Sequence, residues 1–243
     1  LAAGGGCVLN VIGGNPQTAP AGGYSITTLT ATLADPLTIE GNGNTITAAA
    51  APTVGSRTDA VFKIIGSDFV TLQGMLIREN PANTTGGAVA AQQMTEFGVA
   101  LFAASTTNGA QNNTIKNNTI TMSSATAYQN AIGIFSTSAS SSTNGSQAAA
   151  SIAGTNSNNK FYANTISGVA HGLYFISPSQ TATVFESGND IGGAVLSNGN
   201  NITYGISNTA GDLGFTSYSG TTAAGVYFRN VVGNSVRFNT INS

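Results

Sequence analysis

Charged side chains are scarce in this chain. Only 7% of its 243 residues are Asp, Glu, Lys or Arg, where an ordinary soluble domain carries about 25%. Seven basic residues against nine acidic ones leave a formal net charge of -2. That excludes a nucleic-acid binder, whose affinity rests on clustered Lys and Arg, and it leaves little field to steer any charged partner. Long apolar runs are also missing. None approaches the ~18 residues of a membrane-spanning helix. The single cysteine, Cys7, permits no internal disulfide and reads as a small buried residue of the first strand. No signal-peptide pattern is visible, and an opening Leu1 rather than Met is read as the start of a mature or excised segment.

What is present is a repeated phrase. A short apolar run opened by Gly or Ala appears at Gly98-Val99-Ala100-Leu101-Phe102, Ala131-Ile132-Gly133-Ile134-Phe135, Gly172-Leu173-Tyr174-Phe175-Ile176 and Gly225-Val226-Tyr227-Phe228. After a gap comes Asn-Thr-Ile, at Asn118, Asn164 and Asn239, with an earlier copy at Asn44. Apolar residues recur five apart around a Gly-, Asn- or Ala-containing corner, as in Leu72/Ile77, Ile115/Ile120 and Phe161/Ile166. Short alternating segments rich in branched residues, with no helical period, predict strands.

A unit with one thin apolar face cannot bury it alone, whereas stacked units form a continuous core. The expected fold is therefore all-β: a right-handed parallel β-helix in one domain, 1–243, with handedness taken from the rule for parallel crossovers. Asn at equivalent corners should hydrogen-bond along the stack. First-turn strands are expected at Cys7 to Ile12 and Tyr24 to Leu29. Three Ser/Thr/Asn/Gly-rich loops are expected at Ser136 to Asn159, Ser177 to Asn200 and Tyr204 to Ala224. Strands begin near Leu1 and run to Ile241, so neither end carries the polar cap of a closed solenoid. Two continuations are expected: a longer parent chain, or other copies meeting end to end.

Several phrases resemble those of large secreted Bacteroidetes proteins. They are Phe62-Lys63-Ile64-Ile65-Gly66-Ser67-Asp68-Phe69-Val70-Thr71-Leu72-Gln73-Gly74, Met94-Thr95-Glu96-Phe97-Gly98-Val99-Ala100-Leu101-Phe102, Asn108-Gly109-Ala110-Gln111-Asn112-Asn113-Thr114-Ile115, Ser157-Asn158-Asn159-Lys160-Phe161-Tyr162-Ala163-Asn164-Thr165 and Gly188-Asn189-Asp190-Ile191-Gly192-Gly193. The resemblance covers nearly the whole chain. It implies right-handed β-helix repeats, export by the type IX secretion system and a place at the cell surface or outside. It carries over no catalytic residue, and the C-terminal sorting domain of such proteins is absent from these residues.

Chemistry has few candidates. Glycosidic hydrolysis needs two carboxylates at a set separation, and the acids look scattered. A polysaccharide lyase needs a base beside bound calcium. Arg78-Glu79 and Arg57 with Asp59 are the nearest sets, and both read as loop ion pairs or solvated charge. His171 reads as a satisfied turn residue rather than a general base. An enzyme of the polysaccharide-lyase type is thus the alternative reading, and a non-enzyme the main one. Glu186, Asn189 and Asp190 put oxygen ligands close together, a conceivable calcium site that reads equally as a plain turn. Tyr174 and Tyr227 hold equivalent repeat positions between inward residues. They are expected to point outward as a glycan-stacking pair, with Phe97, Tyr128, Tyr162, Tyr204 and Tyr218 more scattered. Thr28-Leu29-Thr30-Ala31-Thr32, Thr45-Ile46-Thr47 and Thr119-Ile120-Thr121 raise ice or sugar binding, but the row decays at Ser167 and Asn242. Sequons at Asn83, Asn112, Asn117, Asn144 and Asn201 follow from an Asn- and Thr-rich composition. The expected role is an extracellular or cell-surface structural or adhesive rod whose partners are further copies, a longer parent chain or extracellular glycans.

Overall fold

The computed structural model describes residues 5–52, 59–84, 94–122, 131–140, 148–177, 184–204, 224–229 and 231–242. The chain visits three parallel sheets in strict rotation, which makes it a parallel β-helix. The first sheet stacks Cys7–Asn10, Leu37–Glu40, Val70–Gln73, Thr114–Lys116, Lys160–Tyr162, Asp190–Ile191 and Ser235–Val236. The second stacks Gln17–Thr18, Thr45–Thr47, Leu76–Arg78, Thr119–Thr121, Thr165–Val169, Asn201–Tyr204 and Thr240–Asn242. The third stacks Tyr24–Thr27, Ala60–Ile65, Phe97–Ala103, Ile132–Ser140, His171–Ile176 and Ala224–Arg229. A small fourth sheet pairs Glu186–Ser187 with Val231–Val232. Among the described residues no helix is long and apolar enough to cross a membrane.

Apolar side chains from all three sheets meet inside the coil. The paired corners expected from the sequence supply the first two sheets: Leu72, Ile77, Ile115, Ile120, Phe161 and Ile166 are fully buried in one core. The third sheet packs against them through a column of glycines, which explains the small residue in each apolar run. A Cβ on Gly98 would lie 2.5 Å from Ile120 Cγ2 and 2.7 Å from the Gly133 carbonyl oxygen. Gly133, Gly172 and Gly225 face Ile166, Ile202 and Ile241 in the same way.

Two asparagine ladders fix the corners. In one, the backbone N–H of Asn118 donates to Asn164 Oδ1 (3.2 Å), Asn164 N–H to Asn200 Oδ1 (2.9 Å), and Asn200 N–H to Asn239 Oδ1 (3.0 Å). In the other, Asn113 N–H donates to Asn159 Oδ1, Asn159 N–H to Asn189 Oδ1 and Asn189 N–H to Asn234 Oδ1, each at 2.9 Å. The side-chain amides donate in turn to main-chain carbonyls, Asn164 Nδ2 to Ile115 (2.9 Å) and Asn159 Nδ2 to Ala110 (3.0 Å). A buried corner thereby satisfies backbone groups that no strand pairing reaches.

Two expected loops differ. The strand Ile132–Ser140 runs past Ser136 because its extra residues still pair with the preceding turn. The expected loop 177–200 contains a complete passage of the first sheet, Asp190–Ile191, whose two-residue length hid it. The third expected loop, from Tyr204 to Ala224, lies mostly outside the described residues.

Two substitutions test this account by denaturant melts. Gly98→Ala forces a methyl into the Ile120 contact and is expected to lower stability by about 1–3 kcal/mol. Asn164→Ala strands the buried N–H of Asn118 and the Ile115 carbonyl, and a loss on the order of 3 kcal/mol is expected. A melting midpoint unchanged in either variant would contradict the packing described.

Candidate functional site

Alternation in the third sheet sends one set of side chains inward and the other out. The outward set forms a second apolar layer: Ala60, Phe97, Ala100, Phe102, Ile132, Phe135, Tyr174 and Ile176 are buried together, apart from the main core. Phe97 stacks on Phe135 (ring centroids 4.3 Å, 9° between planes), and Tyr174 stacks on Tyr227 (4.6 Å, 13°). The expected tyrosine pair therefore exists and points away from the coil axis. It is not an open platform, however. Tyr174 is only 1% exposed and Tyr227 is half-buried, so the Tyr174 ring has no free face for a sugar. The reason is the company of Phe97, Phe135 and Ile132 on the same face, which makes that face apolar as a whole. Tyr128 and Tyr218 lie outside the described residues.

His171 begins a third-sheet strand, buried edge-on against Tyr174 (5.0 Å). Among the described residues its Nδ1 has no hydrogen-bond partner, so the satisfied turn residue expected from sequence is instead a buried strand histidine with one ring nitrogen unpaired. Desolvation lowers its pKa to about 4, leaving a neutral ring at pH 7 shielded from solvent.

The acids are less scattered than they look in the sequence. Asp59 and Glu96 each sit immediately before a third-sheet strand. They are stacked on adjacent turns, with Phe97 N–H donating to the Asp59 carbonyl (3.1 Å) and Ile132 N–H to the Glu96 carbonyl (2.8 Å). Both are buried. Glu96 has its pKa pushed well above the ordinary carboxylate value, first by burial and then by the negative charge of Asp59, with Glu79 adding to it. Lys63, on the strand that Asp59 precedes, has its own pKa lowered by burial, partly offset by Asp59. Glu79 is not half of a surface ion pair with Arg78. Arg78 is exposed, while Glu79 is buried and accepts from Asn80 N–H (2.7 Å), Asn83 Nδ2 (2.8 Å) and Thr95 N–H (2.8 Å). Burial nonetheless raises its pKa. Arg57 lies outside the described residues. The signal for this group was available in Asp59-Ala60-Val61-Phe62 and Glu96-Phe97-Gly98-Val99, where an acid opens the same phrase twice.

The calcium set does not fit a cation. Glu186 is fully buried and its Oε2 accepts from Ser136 Oγ (3.2 Å). Asn189 is a rung of an asparagine ladder, its Oδ1 taken by Asn159 N–H. Asp190 turns to the outside of the first sheet, where it accepts from Tyr162 Oη (2.8 Å) and pairs with Arg237 (3.3 Å). Successive strand residues point to opposite faces, so three oxygens close in sequence are held by separate partners. Among the described residues no group of three or more His, Cys, Asp or Glu is placed to hold a metal.

Uncharged rows line the outer face of the second sheet over its later turns. Outward positions of the second sheet carry Thr119 and Thr121, Thr165 and Ser167, Asn201 and Thr203, and Thr240 and Asn242 on successive turns. Thr121 Oγ1 and Ser167 Oγ hydrogen-bond across turns (3.2 Å). A bulge after Ile166 breaks the second column, and Leu76 with Arg78 interrupts the rows below. Comparison with protein-family models, curated proteins and solved structures finds no match to this chain.

Glu186 gives a pH prediction. Burial raises its pKa from 4.5 to about 8, against smaller lowering by hydrogen bonds from Ser136 and Ser138. Between these values the unfolded chain releases a proton that the fold retains, so its contribution to stability falls as pH rises from about 4.5 to about 8. His171 acts oppositely, costing stability as pH falls from 6.5 towards about 4. Glu186→Gln should flatten the alkaline limb of a stability–pH curve and gain a few kcal/mol over wild type at pH 9. Parallel wild-type and variant curves would show that Glu186 is not buried as described.

Proposed function

We propose that this chain belongs to an extracellular or cell-surface protein of structural or adhesive role, a stiff and nearly uncharged rod built from stacked turns. The observation that carries the reading is the division of labour between faces. Asparagine ladders lock the corners, apolar layers cover both sides of the third sheet, and solvent meets rows of hydroxyl and amide groups on the second. Such a surface suits close approach to neutral glycans or to another rod, because neither encounter strips water from a charge. The resemblance to secreted Bacteroidetes β-helix proteins supports the same location.

Electron microscopy of the purified protein tests assembly, and a glycan array tests adhesion. Filaments or end-to-end chains, or saturable binding to neutral glycans, are the expected results. Discrete rods that bind no glycan would overturn the reading. Turnover of a polysaccharide, abolished by Glu96→Gln, would replace it with an enzyme built on the Asp59–Glu96 pair.

A further inference from the structure

The outer face of the first sheet differs from that of the second. Positions that alternate with the buried Leu72, Ile115, Phe161 and Ile191 point outward. They carry Gln73, Lys116 and Tyr162 in one column and Thr71, Thr114, Lys160 and Asp190 in the next. Arg237 follows on the last described turn, so three of the chain's seven basic residues share this face. Two acids on it are already engaged. Glu40 accepts from Gln73 Nε2 and from Asn42 N–H (3.3 Å). Asp190 accepts from Tyr162 Oη (2.8 Å) and pairs with Arg237 (3.3 Å). Lys160 is exposed and Lys116 partly so. Among the described residues neither lysine has an acid within ion-pair distance.

Tyr162 is held in a fixed pose. Asp190 is level with Lys160 in the register, so it lies diagonally from Tyr162, two residues along and one turn across, on the order of 8 Å between Cα atoms. A phenol that reaches a carboxylate there belongs to a ring laid across the sheet rather than standing off it. Burial and the hydrogen bond to Asp190 raise the phenol pKa to about 12, so the hydroxyl keeps the proton it donates. The ring remains partly exposed. Lys116 is its direct partner on the preceding turn, about 4.8 Å across, and Lys160 shares its strand and face, about 6.8 Å along. An anchored aromatic ring with two unpaired ammonium groups at its edges is the result.

We propose that Tyr162, Lys116 and Lys160 bind a hexuronic acid unit of an acidic polysaccharide, its pyranose ring stacked on the tyrosine and its carboxylate held by the two lysines. The inference rests on the adhesive reading and gives it a face and a chemistry. Charge complementarity selects the sugar. A neutral pyranose would gain the stack alone, whereas a carboxylate adds charge-assisted hydrogen bonds, roughly twice as strong as neutral ones. In a hexuronic acid that carboxylate is attached directly to the ring, so stacking brings it to the platform's edge, where the lysines stand. A sulfate ester is set off from the ring on a further oxygen and fits that edge less well. Contact rather than steering does the work, because the chain's net charge of -2 gives no long-range attraction to an anion.

Calorimetric titration of the purified chain with oligogalacturonate, its methyl ester and dextran sulfate tests the site. The acid should bind, about tenfold more tightly than the ester, and more weakly as salt is added. Tyr162→Ala should lose about tenfold. Tyr162→Phe, which keeps the ring but frees it from Asp190, should lose less. Lys116→Gln combined with Lys160→Gln should make acid and ester bind alike, while Arg78→Gln, an exposed base on the second sheet, should change nothing. A Tyr162→Ala chain that melts like wild type and binds the acid equally well overturns the platform. If Tyr162→Ala misfolds, the lysine pair still decides, since a double variant that keeps the preference for acid over ester overturns the carboxylate contact. Dextran sulfate bound as tightly as the uronate overturns the stacked ring in favour of a general polyanion surface. A wild type that binds neutral glycans but no uronate overturns this site and leaves the adhesive role intact, whereas that role fails only if no glycan binds at all.

Discussion

The hydrogen bond from a backbone N–H to the asparagine Oδ1 of the next turn is the constraint on which this solenoid depends. At each corner the chain leaves one sheet for another, and its N–H groups lose their strand partners. Buried without a partner, each would cost about 1–3 kcal/mol. Asparagine solves this with one side chain that accepts from the turn before and donates to a carbonyl. The spacing between ladder partners in sequence varies widely, with separations of 43, 46, 30 and 45 residues along the column from Val70 to Asn234. The ladder is thus what keeps turns of unequal length in register. Loops can lengthen between corners, but the corners cannot shift.

Once the corners are fixed, the third sheet has little freedom in how it packs. Its glycine column lets the backbone approach Ile120, Ile166, Ile202 and Ile241 with no intervening Cβ, and the residues on either side of each glycine then divide between core and outer layer. Phe97, Phe135 and Tyr174 stand outside the coil and Val99, Ile134 and Leu173 inside it. A sheet apolar on both faces is the ordinary condition of parallel sheets that are covered on each side. Polar rows on the outside are left to the first and second sheets.

Much of this was legible in the residues. The Asn-Thr-Ile phrase located Asn118, Asn164 and Asn239, and apolar residues five apart located the first two sheets, because both signals lie within a few residues of one another. What was not legible depended on contacts far apart in sequence. Asn189 looked like a ligand because its ladder partners, Asn159 and Asn234, lie 30 and 45 residues away. Tyr174 was rightly placed on the outer face, but its burial comes from Phe135 and the rest of a layer that alternation alone cannot announce. Asp59 and Glu96 looked isolated because neighbouring turns, rather than neighbouring residues, bring them together.

The low charge of the surface and the buried acids are two sides of one arrangement. Of the nine Asp and Glu residues, Asp59, Glu79, Glu96 and Glu186 are buried. Three of these have raised pKa values, each with burial as the first cause. A buried carboxyl that keeps its proton is a neutral hydrogen-bonding group and no longer a charge. At Glu186 it faces Ser136 and Ser138 in a polar part of the interior. At Glu186, whose pKa lies at about 8, the proton is held at neutral pH, so the formal charge of -2 counts one carboxylate that the folded protein does not carry. A sparsely charged exterior follows from composition, while burial neutralises Glu186 within. Alkaline pH ionises Glu186, so loosening of the turns around it and growth of net negative charge are driven by the same proton loss.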